Sequence, residues 1–207
     1  MRQRRDDLVA HLLLLAAVLA VGWPVLAGGT LYYGDITLQF VPWRAFARAE
    51  MLRGVLPLWL PDVYCGTPFL ANDQSALLYP LHLLALPLSA PATIALGYLL
   101  HLYLSAAGGY AFARRLGRSP VAALVAGLSY GLGGYVVSKQ QFPSLAYTIA
   151  WLPWLFWAAR RLQTEPGPRS LVLAAGVVAL QWLSGHAQMS VMQLALATLW
   201  VLAAPEA

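Results

Sequence analysis

The carboxylate best placed to do chemistry in this chain is Asp35, in the stretch Tyr32-Tyr33-Gly34-Asp35-Ile36-Thr37-Leu38-Gln39 directly after a long apolar run. A carboxylate there can act as a general base or orient an acceptor hydroxyl. Equally, it can cap a following helix by accepting hydrogen bonds from free backbone N–H groups. A second polar group follows: Trp59, Asp62, Tyr64, Asn72, Asp73, Gln74 and Ser75 share a segment punctuated by Pro57, Pro61, Gly66 and Pro68. Aromatic faces beside amides and carboxylates suit a sugar, whose ring faces are apolar and whose hydroxyls need partners. The same residues also make a rigid loop in which Asn72 or Asp73 caps a helix starting at Ser75. Arg44 and Arg48 have the forked geometry that binds phosphate, and they suit lipid headgroups as well. Lys139 and His186 could line one cavity with Asp35, although a lone histidine is more often structural and makes no metal site by itself. His82 and His101 read as hydrogen-bonded structural histidines. Gly131-Leu132-Gly133-Gly134 lies inside an apolar run and reads as close helix packing rather than a phosphate cradle. No nucleotide-binding pattern and no Ser/His/Asp arrangement is visible. The single Cys65 excludes an intramolecular disulfide and a thiolate metal cluster.

The elements that position these groups are set by composition. Apolar residues make up 60% of the 207, charged residues only 10%, and mean hydropathy is +0.64. A soluble domain carries about 25% charged residues, so the chain is expected to be an all-α integral membrane protein. Its apolar runs are continuous rather than alternating, which favours helices over a barrel. Six spans are predicted, at about 8–28, 91–112, 121–137, 144–159, 170–183 and 189–203, the last three short for a full crossing. The first run exceeds the h-region of a signal peptide, so it reads as a retained helix. The net charge of +5 does not point to nucleic acid, because the basic residues sit in small clusters between apolar runs. Alternating six spans puts Arg2, Arg4, Arg5, Arg114, Arg115, Arg118, Arg160, Arg161 and Arg169 on one side. Arg44, Arg48, Arg53 and Lys139 fall on the other. The positive-inside rule makes the first side cytoplasmic, with the N-terminus there.

Three segments then face outward: a loop at about 29–90, a turn around Ser138–Pro143, and Gly185-His186-Ala187-Gln188. The loop is long enough to be functional, and its aromatic content argues against disorder. An amphipathic helix is predicted at about 40–53, with Phe40, Trp43, Ala47 and Met51 at helical spacing and Arg44 and Arg48 on another face. A second interfacial or re-entrant helix is predicted at about 75–88, broken by Pro80 and Pro87. The chain stops directly after the sixth span, which suggests a piece of a longer membrane protein.

Several short motifs occur in a fixed order: Gly34-Asp35 with Gln39; Gly54-Val55-Leu56-Pro57-Leu58-Trp59 with Pro61; and Cys65-Gly66-Thr67-Pro68-Phe69-Leu70-Ala71-Asn72-Asp73-Gln74-Ser75. Tyr79-Pro80, Arg114-Arg115-Leu116-Gly117, Trp151-Leu152-Pro153-Trp154 and Gly185-His186-Ala187-Gln188 follow. This series resembles the N-terminal part of the bacterial YfhO-like membrane proteins, which look like members of the GT-C class of glycosyltransferases. One departure is Trp59-Leu60-Pro61 where the family pattern has Trp-Asn-Pro, so any role of that amide is absent here. The resemblance implies a GT-C-like fold in the bacterial cytoplasmic membrane. It also implies transfer of a sugar from a polyprenyl-phosphate carrier to a cell-envelope glycopolymer or glycolipid acceptor on the outer face. Asp35 matches the catalytic carboxylate of the first outer loop, and Lys139 or Arg44 would bind the carrier's phosphate. Gln39, Trp59, Asn72, Asp73, Gln74, His186 and Gln188 are the further candidate substrate-binding residues. Metal dependence varies within the class, which leaves a divalent ion open as cofactor; no metal ligand is assigned.

Two rival readings remain at this stage. Part of a flippase or transporter for lipid-linked sugars would carry ionisable groups at mid-membrane depth, and only Gln181 and the glycines are weak candidates. A non-catalytic membrane scaffold would tolerate replacement of Asp35.

Overall fold

The computed structural model describes residues 2–203, without the side chains of Arg2 and Gln3. The chain end at Glu206-Ala207 therefore lies outside the described residues. The fold is all-α. In chain order it has α1 (Arg2–Val21), α2 (Trp23–Leu26), a π-helical turn (Ile36–Phe40) and α3 (Val41–Leu52). Two short strands, β1 (Trp59–Leu60) and β2 (Thr67–Pro68), pair antiparallel in the register Trp59↔Pro68 and Leu60↔Thr67. Then come α4 (Pro80–Leu84), α5 (Ala90–Arg115), α6 (Pro120–Gly131), α7 (Gly134–Ser138), α8 (Pro143–Ala150), α9 (Leu152–Thr164), α10 (Pro168–Leu183) and α11 (Ala187–Ala203).

The helix α5 is the axis of the bundle and packs against α1, α3, α6, α8 and α9. It starts where Ser89 accepts from the Ala92 N–H and Pro91 occupies the first turn. The start of α6 repeats this device with Ser119, Ala122 and Pro120. α5 ends where Gly117 turns to φ +75° and the Arg118 N–H reaches back to the Ala113 carbonyl. The α5–α6 contact is close because Gly127 and Gly131 lie against Ala106, where a Cβ on Gly131 would come within 2.5 Å of the Ala106 nitrogen. This is small-residue packing of the kind that brings helices together in membranes.

Two helical stretches are long and apolar enough to cross a membrane: α5, with 26 residues, and the 22 residues Pro120–Gln141, which run from α6 through the turn after α7. α10 and α11 are shorter apolar helices. Leucines and valines stand on the outside of α1, α6, α10 and α11, while Ser105, Thr148, Gln181, Ser184, Ser190 and Gln193 are buried. That distribution is compatible with membrane association.

Four expected elements differ. The 121–137 run breaks at Leu132-Gly133 between α6 and α7. The 8–28 run is not one straight helix: Gly22 and Pro24 interrupt it, and Ala27 closes α2 onto the Trp23 carbonyl. The 144–159 run divides into α8 and α9 at Trp151, because Pro153 has no N–H to continue the ladder. The 75–88 run is mostly turn, with only Pro80–Leu84 helical. There Ala76 sits at φ +43° and Tyr79 is held extended before Pro80. The helix predicted at 40–53 is present as α3.

Ion pairs join the arginine clusters at the end of the bundle where α5 finishes. Asp7 on α1 pairs with Arg114 at 2.9 Å, and Glu165 after α9 pairs with Arg115 at 2.8 Å and Arg161 at 2.9 Å. The Tyr110 hydroxyl also donates to Asp7. That hydroxyl, together with Arg114, holds the Asp7 carboxyl below its ordinary value against the opposing effect of burial. The 29–90 loop gathers at the opposite end of α5.

Candidate functional site

Asp35 begins the π-helical turn that leads into α3. The π turn has a local cause: Pro42 can give no N–H to the carbonyl one α-helical turn back, and its ring crowds that carbonyl, so a wider turn relieves both. The Asp35 side chain makes no capping hydrogen bond and is exposed. The capping alternative is thereby removed, and the carboxylate is free to meet a ligand. Leu31, just upstream, packs into the cluster containing Val136, Val137, Ile149 and Met189.

The loop end brings together segments far apart in sequence. Gln39 donates from Nε2 to Gln74 Oε1 at 3.1 Å. Asp73 accepts through Oδ2 from the Ala187 N–H at 3.0 Å, clamping the loop to the first turn of α11. Gly185, at φ +97°, leaves no space there, since a Cβ would lie 2.7 Å from the Asp73 carbonyl oxygen. Asn72 caps the 3-10 turn Asp73–Ser75 by accepting from the Gln74 N–H at 3.1 Å; no helix starts at Ser75. His186 Nδ1 accepts from the Met189 N–H at 3.2 Å, so this ring caps α11. Gln188 is exposed. Lys139 is half-buried, with its ammonium 5.7 Å from the ring centres of Tyr135 and Phe142. Among the described residues it pairs with no carboxylate. Trp59 lies apart from these groups, on β1, with its indole over Gly66.

Arg44 takes a position that the sequence did not reveal. It is 6% exposed and donates through Nη2 to the Ser75 carbonyl, while Arg48 donates from Nε to the Leu86 carbonyl at 3.0 Å. Both arginines tie α3 to the second half of the loop, where a headgroup role was one expectation. Burial pushes the Arg44 pKa down to about 10, so the guanidinium remains charged at neutral pH. Beside it, His82 donates from Nδ1 to the Ala76 carbonyl at 2.8 Å. Burial and the Arg44 charge hold His82 well below the usual histidine range, so it is neutral. A cavity of about 20 Å³ touches Arg44, Arg48 and His82, enough for roughly one water. Arg44 lies roughly 13 Å further along the helical run than Asp35 at 1.5 Å per residue, and the structure brings the two into no contact.

Beneath the loop, polar side chains continue inward. Trp151 Nε1 donates to the Tyr79 hydroxyl at 3.2 Å, and that hydroxyl meets His101 Nε2 at 2.8 Å. His101 Nδ1 donates to the Gly97 carbonyl at 2.7 Å, and the ring stacks on Tyr147 with centres 3.8 Å apart. Both ring nitrogens of His101 are thus satisfied. Gln181 and Gln193 bond at 2.6 Å, and Thr148 and Ser184 at 2.7 Å. His82 and His101 are hydrogen-bonded, as the sequence suggested, whereas the tier of α8, α10 and α11 carried no sequence signal beyond isolated polar residues in apolar runs. No three of the described His, Cys, Asp and Glu residues converge. Asp35 alone supplies one carboxylate, fewer ligands than a metal site needs.

No protein-family model, curated protein or solved structure matches this chain.

Proposed function

We propose that this chain is a YfhO-like glycosyltransferase of the GT-C class, crossing the bacterial cytoplasmic membrane six times with its N-terminus in the cytoplasm. It takes a sugar from a polyprenyl-phosphate carrier and passes it to a glycopolymer or glycolipid acceptor at the outer face. The observation that carries this reading is the exposed, uncapped carboxylate of Asp35, four residues before Gln39, whose bond to Gln74 leads to the Asp73 clamp on the start of α11. Ion-paired arginines collected at the other end of α5 support the orientation.

In this mechanism Asp35 accepts the proton of the acceptor hydroxyl as that oxygen attacks the sugar, and the carrier phosphate departs as an anion. Lys139 is the cation for that phosphate. Among the described residues it lacks a carboxylate partner and is partly exposed, whereas Arg44 is buried and bonded to Ser75. Gln39 and Gln74 hold each other and the sugar-facing edge of the loop. The buried tier below carries amides, hydroxyls and a satisfied histidine, a weaker set than transport requires.

The experiment is Asp35→Asn in the gene, with protein level checked and envelope sugars measured by mass spectrometry. Losing a general base costs about 10²- to 10⁴-fold in rate, so one decoration should vanish at unchanged protein level. Decoration that needs the gene but survives Asp35→Asn would remove Asp35 from the mechanism. If deletion of the gene changes no sugar, the scaffold reading replaces the enzyme.

A further inference from the structure

Between β1 and β2 the chain runs Pro61-Asp62-Val63-Tyr64-Cys65-Gly66, with three consecutive residues at positive φ: Tyr64 at +51°, Cys65 at +61° and Gly66 at +105°. Two of these are not glycine and are held against their own preference. The conformation leaves the Tyr64 side chain 93% exposed. Trp59 is 54% exposed, and its indole is seated on Gly66, where a Cβ would come within 2.5 Å of Nε1. The base of the hairpin is fixed: Leu60 and Phe69 are buried against Ala47 and Leu77, and Phe69 meets Trp43 and Phe46 edge-on. A fixed base thus presents the two aromatic side chains, so that binding has side-chain rotamers rather than backbone to order.

Charge narrows the ligand. Asp62 is exposed and is the only charged residue from Gly54 to Asn72. A tip that anchored to anionic lipid would carry Lys or Arg, and a lone carboxylate opposes immersion in the bilayer. Aromatic faces plus one acceptor carboxylate match a neutral polyhydroxylated molecule, with apolar ring faces to stack and hydroxyls to donate.

We propose that the β1–β2 hairpin is a binding site for a neutral glycan, with Tyr64 and Trp59 against the sugar rings and Asp62 accepting from their hydroxyls. Its place in the reaction rests on the sugar-transfer reading: the site grips a stretch of the acceptor glycan away from the hydroxyl that reacts at Asp35, since the lipid-linked donor is anionic.

Saturation-transfer NMR on the full chain in nanodiscs, with maltotriose, cellotriose and chitotriose as probes, tests the site directly. Ring protons of at least one probe should receive saturation. Tyr64→Asn, a residue that tolerates positive φ, should weaken binding about fivefold, in line with the loss of one aromatic contact, and Tyr64→Phe should keep it. Asp35→Asn should bind as the unaltered chain does while losing transfer. Binding that depends on Tyr64 in a chain with no transferase activity would remove the enzyme and leave the hairpin site standing. Saturation of no probe, or binding indifferent to Tyr64→Asn, overturns the glycan site whatever the activity. A nitroxide on Cys65 that meets oxygen but not a water-soluble nickel chelate would overturn it in favour of a lipid anchor.

Discussion

His82 illustrates how a side chain that the sequence marks only as structural acquires a measurable property from its surroundings. Its folded pKa is depressed by burial and by Arg44, while the unfolded chain titrates near 6.5. Above that pH the ring is neutral in both states and its contribution to stability is fully present. As pH falls below it, the unfolded chain takes up a proton that the folded one refuses. Stability should therefore decline on acidification by at most about 1.4 kcal/mol per pH unit from this group. His82→Asn, which can still donate to the Ala76 carbonyl, should flatten the thermal-unfolding profile between pH 6.5 and 5; an unchanged slope would mean that His82 titrates normally. Lys139 and Arg44 make a contrasting pair. Lys139→Gln should lower kcat/KM for the lipid-linked donor by roughly 10- to 100-fold, the worth of a hydrogen bond to a charged group, without changing stability. Arg44→Gln should lower stability instead, because it cuts the tie between α3 and Ser75. Equal kinetic effects of the two would return Arg44 to the phosphate site. Asp35 could be picked out from its place after an apolar run, but its freedom from capping could not. That depends on the π turn, whose cause is Pro42.

At the scale of elements, the sequence is most informative where one periodic signal decides the backbone. α3 and α5 fall close to their expected ranges because amphipathic spacing and the Ser–Pro start each act locally. The 75–88 run misleads because its apolar content is high while Ala76, Pro80 and Pro87 each redirect the chain. Hydropathy does not see φ. Likewise Trp151-Leu152-Pro153-Trp154 reads as part of one span, yet the missing N–H of Pro153 makes it the junction of α8 and α9. The α5–α6 contact supplies a test at this level. Gly131→Ala would press a Cβ against the backbone of Ala106, which cannot swing aside as a side chain could. Overpacking of this sort costs about 1–3 kcal/mol, so thermal unfolding in detergent should move down, whereas Gly134→Ala, with open space around it, should move it little. Equal shifts would show that the two helices are not in the contact described.

For the whole molecule, the clustering of the arginines was the most readable property, because they stand in small groups between the apolar runs. The ion pairs of Asp7 and Glu165 gather those arginines at one end, and Gln39–Gln74 and Asp73–Ala187 gather the loop residues at the other. The sequence could not show which loop residues meet, since these partners depend on how the helices pack. Cys65, the only cysteine and exposed, gives a direct check of sidedness. A membrane-impermeant maleimide added to intact spheroplasts should label it, and Cys65→Ser should abolish labelling; labelling only after lysis would reverse the proposed orientation.

The clamp between Asp73 and Ala187 joins residues separated by 114 positions. A ribosome delivers the loop early and the first turn of α11 late, so the loop must wait through the synthesis of every intervening helix before its last contact exists. Premature release anywhere in that interval leaves the loop end unfinished, with its polar backbone bare to the first protease it meets.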